Sequence, residues 1–153
     1  MVTLRSDIEF FGIDISWGML KRCRKHLEKW KRTAELFQGE VERLPFRDGI
    51  FDVVFHVGGI NFFNDKAHAI AEMIRVARPG TKVVIVDETE KVVKDIYEKV
   101  PLTRRYFQKR DKAVASPVDL VPGEMSDIGS EEIGDCRLYC LSFRKPNNRL
   151  ITT

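Results

Sequence analysis

The chain has 153 residues, enough for one domain with a sizeable core, with 43% hydrophobic and 32% charged residues, the balance of an ordinary globular domain. Its net charge of +3 gives little basis for a nucleic-acid or anionic-membrane partner. No run approaches the roughly 18 apolar residues of a membrane span, and the first ten residues carry no apolar signal core, so a cytoplasmic address is expected.

In chain order, Ile8 to Ile15 reads as a buried strand, and Ser16 is a plausible helix N-cap. Leu20, Cys23, Leu27 and Trp30 recur at helical spacing, with basic residues on the solvated face. Leu36 and Phe37 begin a short strand that ends near Gly39. Leu44-Pro45-Phe46 and Asp48-Gly49 mark a loop and a tight turn. Phe51 to Val57 is a nearly unbroken apolar run, expected of a strand covered on both faces and ended by Gly58-Gly59. Ala67, Ile70, Ala71, Ile74 and Ala77 form a second helical stripe, stopped by Pro79-Gly80. Thr81 to Val86 is a third buried strand with Asp87 at its carboxyl end, and Val92, Val93, Ile96 and Val100 predict a helix closed by Pro101. The basic stretch from Leu102 to Gly123 reads as irregular or partly helical. Segments around Met125 to Ile133 and Cys136 to Phe143 flank Gly134-Asp135, a pairing suited to an antiparallel hairpin.

The cysteines are Cys23, Cys136 and Cys140. Read on one strand, Cys136 and Cys140 lie roughly 13 Å apart, beyond the roughly 4.4–6.8 Å between the Cα atoms of a disulfide. An odd set of scattered thiols fits a reducing compartment. No Cys/His spacing suits zinc, and His68 with Glu72 reads as an exposed helical pair. Alternating strands and helices with a terminal hairpin predict an α/β domain with a mostly parallel sheet.

Ligands of such sheets sit beyond the carboxyl ends of the strands. Asp14 closes the first strand, where a carboxylate can accept the hydrogen bonds of a ribose diol or serve as a turn residue. Glu40 followed by Val41 offers an acceptor and a backbone N–H, the complement of an adenine edge. His56 at the third strand's end is either a site residue or only a strand-end residue. Asp65, Asp87 and His56 are possible proton acceptors by position alone.

The order GIDIS, then QGEVERLPFRDGIFDVVF, then EMIRVARPGTKVVIVDE resembles the class I S-adenosylmethionine-dependent methyltransferases, in the branch that includes quinone-biosynthesis C-methyltransferases. The resemblance runs from about Phe11 to about Glu88 and implies a Rossmann-like sheet with a reversed last strand. It implies S-adenosylmethionine as cofactor and a small-molecule acceptor. By that resemblance Asp14 binds the ribose hydroxyls, Ile15 lines adenine, Glu40 and Val41 flank adenine, and His56 and Val57 approach the methionine portion. Glu40 and Val41 are each larger than the family's usual Asp and Ala. Tyr106 or Phe107 would line an acceptor pocket or pack in the core.

The family's first strand and its glycine-rich turn are missing from this sequence. Only 13 residues precede Asp14, with Gly12 the sole glycine among them, whereas a βα unit leading into the next strand needs roughly 30. The missing strand is central in the family's sheet. Its loss strands on the order of ten backbone groups, at roughly 1–3 kcal/mol each if buried unpaired. The expectation is a single, N-terminally incomplete domain over residues 1–153, with its flanking strands paired directly or completed in a homodimer. Weak or absent cofactor binding follows. A nicotinamide-dependent dehydrogenase would need the same glycine turn, and a non-catalytic oligomerising scaffold is the other rival.

Overall fold

A computed structural model describes residues 7–101, 104 and 113–147. The chain divides into two compact units, Met1–Pro45 and Phe46–Thr153. Tyr106 and Phe107 lie outside the described residues.

The first unit is a β-α-β arrangement. Strand β1 (Phe11–Asp14) leads into helix α1 (Trp17–Lys29), which returns the chain to strand β2 (Glu35–Gln38). Ser16 starts the helix as predicted, its hydroxyl accepting the Met19 N–H at 3.3 Å. β1 and β2 pair in parallel, Phe11 against Glu35 and Asp14 against Gln38. The strand predicted over Ile8–Ile15 is therefore shorter, because β2 pairs with only its last part. Of the α1 stripe, Leu20 alone is buried. Gly39 follows β2 closely packed on β1: an added Cβ would meet the Ile13 Cδ1 at 3.0 Å.

In the second unit, strands β3 (Val54–Val57), β4 (Lys82–Glu88), β5 (Ser126–Ile133) and β6 (Leu138–Arg144) form one sheet in the order β3-β4-β6-β5. β3 and β4 are parallel; β6 runs antiparallel to β4 and to β5. Helix α2 (Lys66–Val76) buries Ala69, Ile70, Met73 and Val76. Val83, Ile85, Leu141 and Phe143 are fully buried sheet residues of the same unit, in facing pairs across β4 and β6. Asp65 caps α2 through the His68 N–H at 2.9 Å, which accounts for that carboxylate. Arg75 near the helix's other end grips Glu72, Asp48 and the Phe46 carbonyl, pinning the loop before β3. Glu72 is thereby an ion-pair partner of Arg75 rather than of His68. The predicted third helix begins early, as a short α3 (Glu90–Val92) continued by a π-type turn over Val93–Tyr97.

Two expectations are corrected. The run Phe51 to Val57 is not covered on both faces: Val53, Phe55 and Val57 are 65%, 63% and 69% exposed, and Phe51 makes only an isolated bridge to Ala77. Cys136 lies in the hairpin turn rather than on a strand, with φ of 60°, following Gly134 and Asp135, which also have positive φ. It and Cys140 are free thiols. β1 pairs with β2 and β3 with β4, in two sheets that lie one in each unit.

Truncating Phe143, the largest fully buried side chain, is expected to cost about 3–5 kcal/mol. Met19→Ala, on the exposed side of α1, is expected to change stability by no more than about 0.5 kcal/mol. Urea titration of both variants checks this, and equal losses would contradict the assignment of the core.

Candidate functional site at the strand tips

Parallel pairing of β1 with β2 sets Asp14 opposite Gln38, so both strands deliver their following residues to one edge. The Gly39 N–H donates to the Asp14 carbonyl at 3.2 Å, closing that edge. One oxygen of the Asp14 carboxylate accepts the Ser16 N–H at 2.7 Å, so Asp14 does serve as a turn residue. The other oxygen carries no hydrogen bond among the described residues. Ile15 follows with its side chain 66% exposed, while Gln38 Nε2 holds its carbonyl at 3.1 Å.

Glu40 is extended and exposed, and its carboxylate makes no hydrogen bond to the short 3-10 turn Val41–Arg43 that it precedes. Val41 opens that turn, where the first N–H groups have no partner within the turn. Asp14, Ile15, Glu40 and Val41 thus share one edge of one unit. They present a carboxylate oxygen, an apolar side chain, a second carboxylate and an N–H donor.

His56 and Val57 belong to the second unit, at the carboxyl end of β3. Successive strand residues face opposite sides, and these two do: Val57 is exposed, whereas the half-buried His56 ring packs edge-on to Phe63, centroids 5.1 Å apart. Gly58 and Gly59 then turn the chain with φ of 72° and 102°, conformations that side chains resist.

A polar cluster at the carboxyl end of β4 was not legible beyond Asp87 itself. Asp87 is 1% exposed and accepts the Glu88 N–H at 2.8 Å and the Asn61 N–H at 3.0 Å. Asn61 Nδ2 donates to the Glu88 carbonyl at 3.0 Å, and the Tyr97 hydroxyl donates to the Glu88 carboxylate at 2.8 Å. Asn61 Oδ1 and the Tyr139 hydroxyl are buried without a hydrogen-bond partner. The hydrogen bond shared with the Asp87 carboxyl, together with burial, holds the Glu88 carboxyl above its ordinary 4.5, against the lowering contact from Tyr97. Burial and the Glu88 carboxylate push Tyr97 up to about 12, and burial beside the two acids raises Tyr139.

The chain is similar in sequence and in fold to known methyltransferases. A family model described as a methyltransferase domain matches residues 2–85. The demethylmenaquinone methyltransferase of Desulfitobacterium hafniense (strain Y51) is 34% identical over 88 residues, 56% of this chain and 35% of that protein. The uncharacterized methyltransferase YdaC of Bacillus subtilis (strain 168) is 29% identical over 85 residues, 56% of this chain and 46% of that protein. The crystal structure of a SAM-dependent methyltransferase from Aquifex aeolicus superposes with a TM-score of 0.59 at 17% identity, covering 89% of this chain and 68% of that one. The architecture is the Rossmann-like one of such enzymes. The chain belongs to the methyltransferase domain family, whose members imply S-adenosylmethionine as cofactor. It spans about a third to a half of the curated relatives it matches.

Against that cofactor, the first unit's edge suits the adenosine portion: the open Asp14 oxygen can accept from ribose hydroxyls, Glu40 can accept from the adenine amino group, and the Val41 N–H can donate to a ring nitrogen. His56 and Val57 lie in the second unit, with side chains on opposite faces of β3.

Because Glu88 holds its proton more tightly when folded, the stability it contributes is complete below pH 4.5 and is lost as pH rises through its folded value. Glu88→Gln, which keeps an acceptor for Tyr97, is expected to gain stability relative to the parent as pH rises from 4.5 toward neutrality. Urea midpoints measured stepwise in pH check this; a difference between the two proteins that stays constant with pH would contradict it.

Proposed function

We propose that this chain is part of an S-adenosylmethionine-dependent methyltransferase acting on a small-molecule acceptor, and that the 153-residue polypeptide alone holds the cofactor weakly. The observation that carries the reading is the shared edge of Asp14 and Glu40 in the parallel β1-β2 pair. In this reading Asp14 takes the ribose hydroxyls through its open oxygen, Ile15 covers one adenine face, and Glu40 with the Val41 N–H pairs with the adenine edge.

Bound there, the cofactor supplies an electrophilic methyl group on a sulfonium, transferred by direct displacement. The protein's part is alignment and the exclusion of water. Strand tips suit that task because the hydrogen-bonded ladder fixes their spacing. The proposed weakness is that of these 153 residues taken alone, whose first 13 hold no glycine-rich turn to bring backbone N–H groups against the amino-acid end.

A second feature favours self-association. Within its unit β3 has a strand partner on one side only among the described residues, and Val53, Phe55 and Val57 form a bare apolar face beside it. Exposed edges and apolar patches of this kind are covered in stable proteins. We therefore place the chain in a homodimer. The free thiols Cys23, Cys136 and Cys140 support a reducing, cytoplasmic setting. No helix among the described residues is long and apolar enough to cross a membrane.

Light scattering and calorimetry on one sample test both parts. The expected mass is twice the 17.7 kDa of one chain. S-adenosylhomocysteine should bind more weakly than the micromolar range, and Asp14→Ala should lower that affinity by about tenfold or more. A 17.7 kDa particle would remove the dimer. Micromolar binding by the parent, or unchanged binding by the variant, would remove the proposed weakness or the role of Asp14.

A further inference from the structure

The cluster at the end of β4 has an excess of acceptors and no cation. Antiparallel pairing of β4 with β6 sets Tyr139 directly opposite Asp87, on the same face of the sheet. Both are almost wholly buried, at 3% and 1% exposure. The Tyr139 hydroxyl, on the strand position that faces Asp87, is buried and has no hydrogen-bond partner among the described residues. Asn61 uses its N–H and its Nδ2 to hold Asp87 and Glu88, leaving Oδ1 buried and unpartnered. Neither carboxylate forms an ion pair with a described residue, although the chain carries 26 Lys and Arg.

The chemistry that completes this set follows from its inventory. An anion is excluded by the two carboxylates. A divalent metal is poorly served, since no group of three or more His, Cys, Asp or Glu exists among the described residues. One water satisfies Asn61 Oδ1 and Tyr139 but leaves two acids side by side without countercharge. A primary ammonium supplies both a positive charge and three N–H donors, enough for Asn61 Oδ1, a carboxylate oxygen and the phenol oxygen.

We propose that Asp87, Glu88, Asn61 and Tyr139 form a receptor for a primary alkylammonium group, and that the group belongs to an amine-bearing methyl acceptor. The second clause rests on the methyltransferase reading; the first does not. The receptor occupies the carboxyl end of β4, the edge where parallel sheets take their ligands. Glu88, which is only partly buried, is the group through which the ligand enters. The ammonium supplies the countercharge that the two carboxylates lack among the described residues, and Tyr97 steadies the Glu88 carboxylate from the other side.

The test is a ¹H–¹⁵N titration of the whole chain with n-butylammonium chloride, alongside tetramethylammonium chloride at equal ionic strength. The expected result is a saturable shift of the Asn61 side-chain amide and of the Asp87 and Glu88 backbone amides with n-butylammonium alone. Glu88→Gln and Tyr139→Phe, both close in shape to the parent, should each weaken it by about tenfold, with spectra otherwise unchanged. No saturable shift, an equal response to tetramethylammonium, or unaltered affinity in both variants would overturn the receptor. A parallel titration with S-adenosylhomocysteine separates the sources of an ammonium. Shifts from it at Asn61 would give the receptor to the cofactor's amino-acid end and overturn its assignment to the acceptor. Should that compound leave Ile15 and Val41 unmoved while n-butylammonium binds, the methyltransferase reading fails and the receptor stands.

Discussion

Two strands that run parallel must end at the same edge, and whatever follows each of them is carried there too. In β1 and β2 this places Asp14 opposite Gln38, with Glu40 two residues beyond. Strand spacing and rise then put the two acids roughly 8 Å apart. The hydrogen-bonded ladder, rather than any contact between the acids, holds that separation. α1 makes it possible by returning the chain for a second parallel strand, and its start depends on Ser16, whose own N–H is tied to Asp14. The turn and the candidate ribose acceptor are therefore one device: one carboxylate oxygen orders the chain and the other is left for a ligand.

The same backbone logic explains what is unusual about the chain. Within its unit β3 pairs on one side, with β4, and has no second strand partner among the described residues. On β3 this coincides with a bare row of Val53, Phe55 and Val57. Polar edge groups tolerate water, but a wide apolar face beside them favours being covered. The second unit nevertheless has its own core, because α2 and the facing pairs of β4 and β6 bury their apolar residues without help from β3's exposed side.

Where local chemistry decides, the sequence was readable. α2 begins at the Asp65 cap and ends before Pro79-Gly80, as its periodicity and its boundary residues required. The reversed β5-β6 hairpin was visible in the Gly134-Asp135 turn, although Cys136 and Arg137 extend that turn and shorten the strand. Apolar content misled at Phe51 to Val57, since a run of hydrophobic residues reports what a strand would accept on its faces, not what is present to cover them. The cluster around Asp87 was hidden for a different reason. Tyr139 reaches it through strand register and Asn61 through a loop after β3, and neither relation leaves a local pattern. Asp14 was ambiguous between turn and ligand because it offers two oxygens, one for each role.

The central claim is that the β1-β2 edge receives an adenosine. Intermolecular nuclear Overhauser effects between adenosine and the labelled chain measure this most directly. The account predicts contacts from the adenine protons to the Ile15 and Val41 methyl groups and from the ribose protons to residues around Asp14. Adenosine that binds but shows its contacts only to other residues would contradict it.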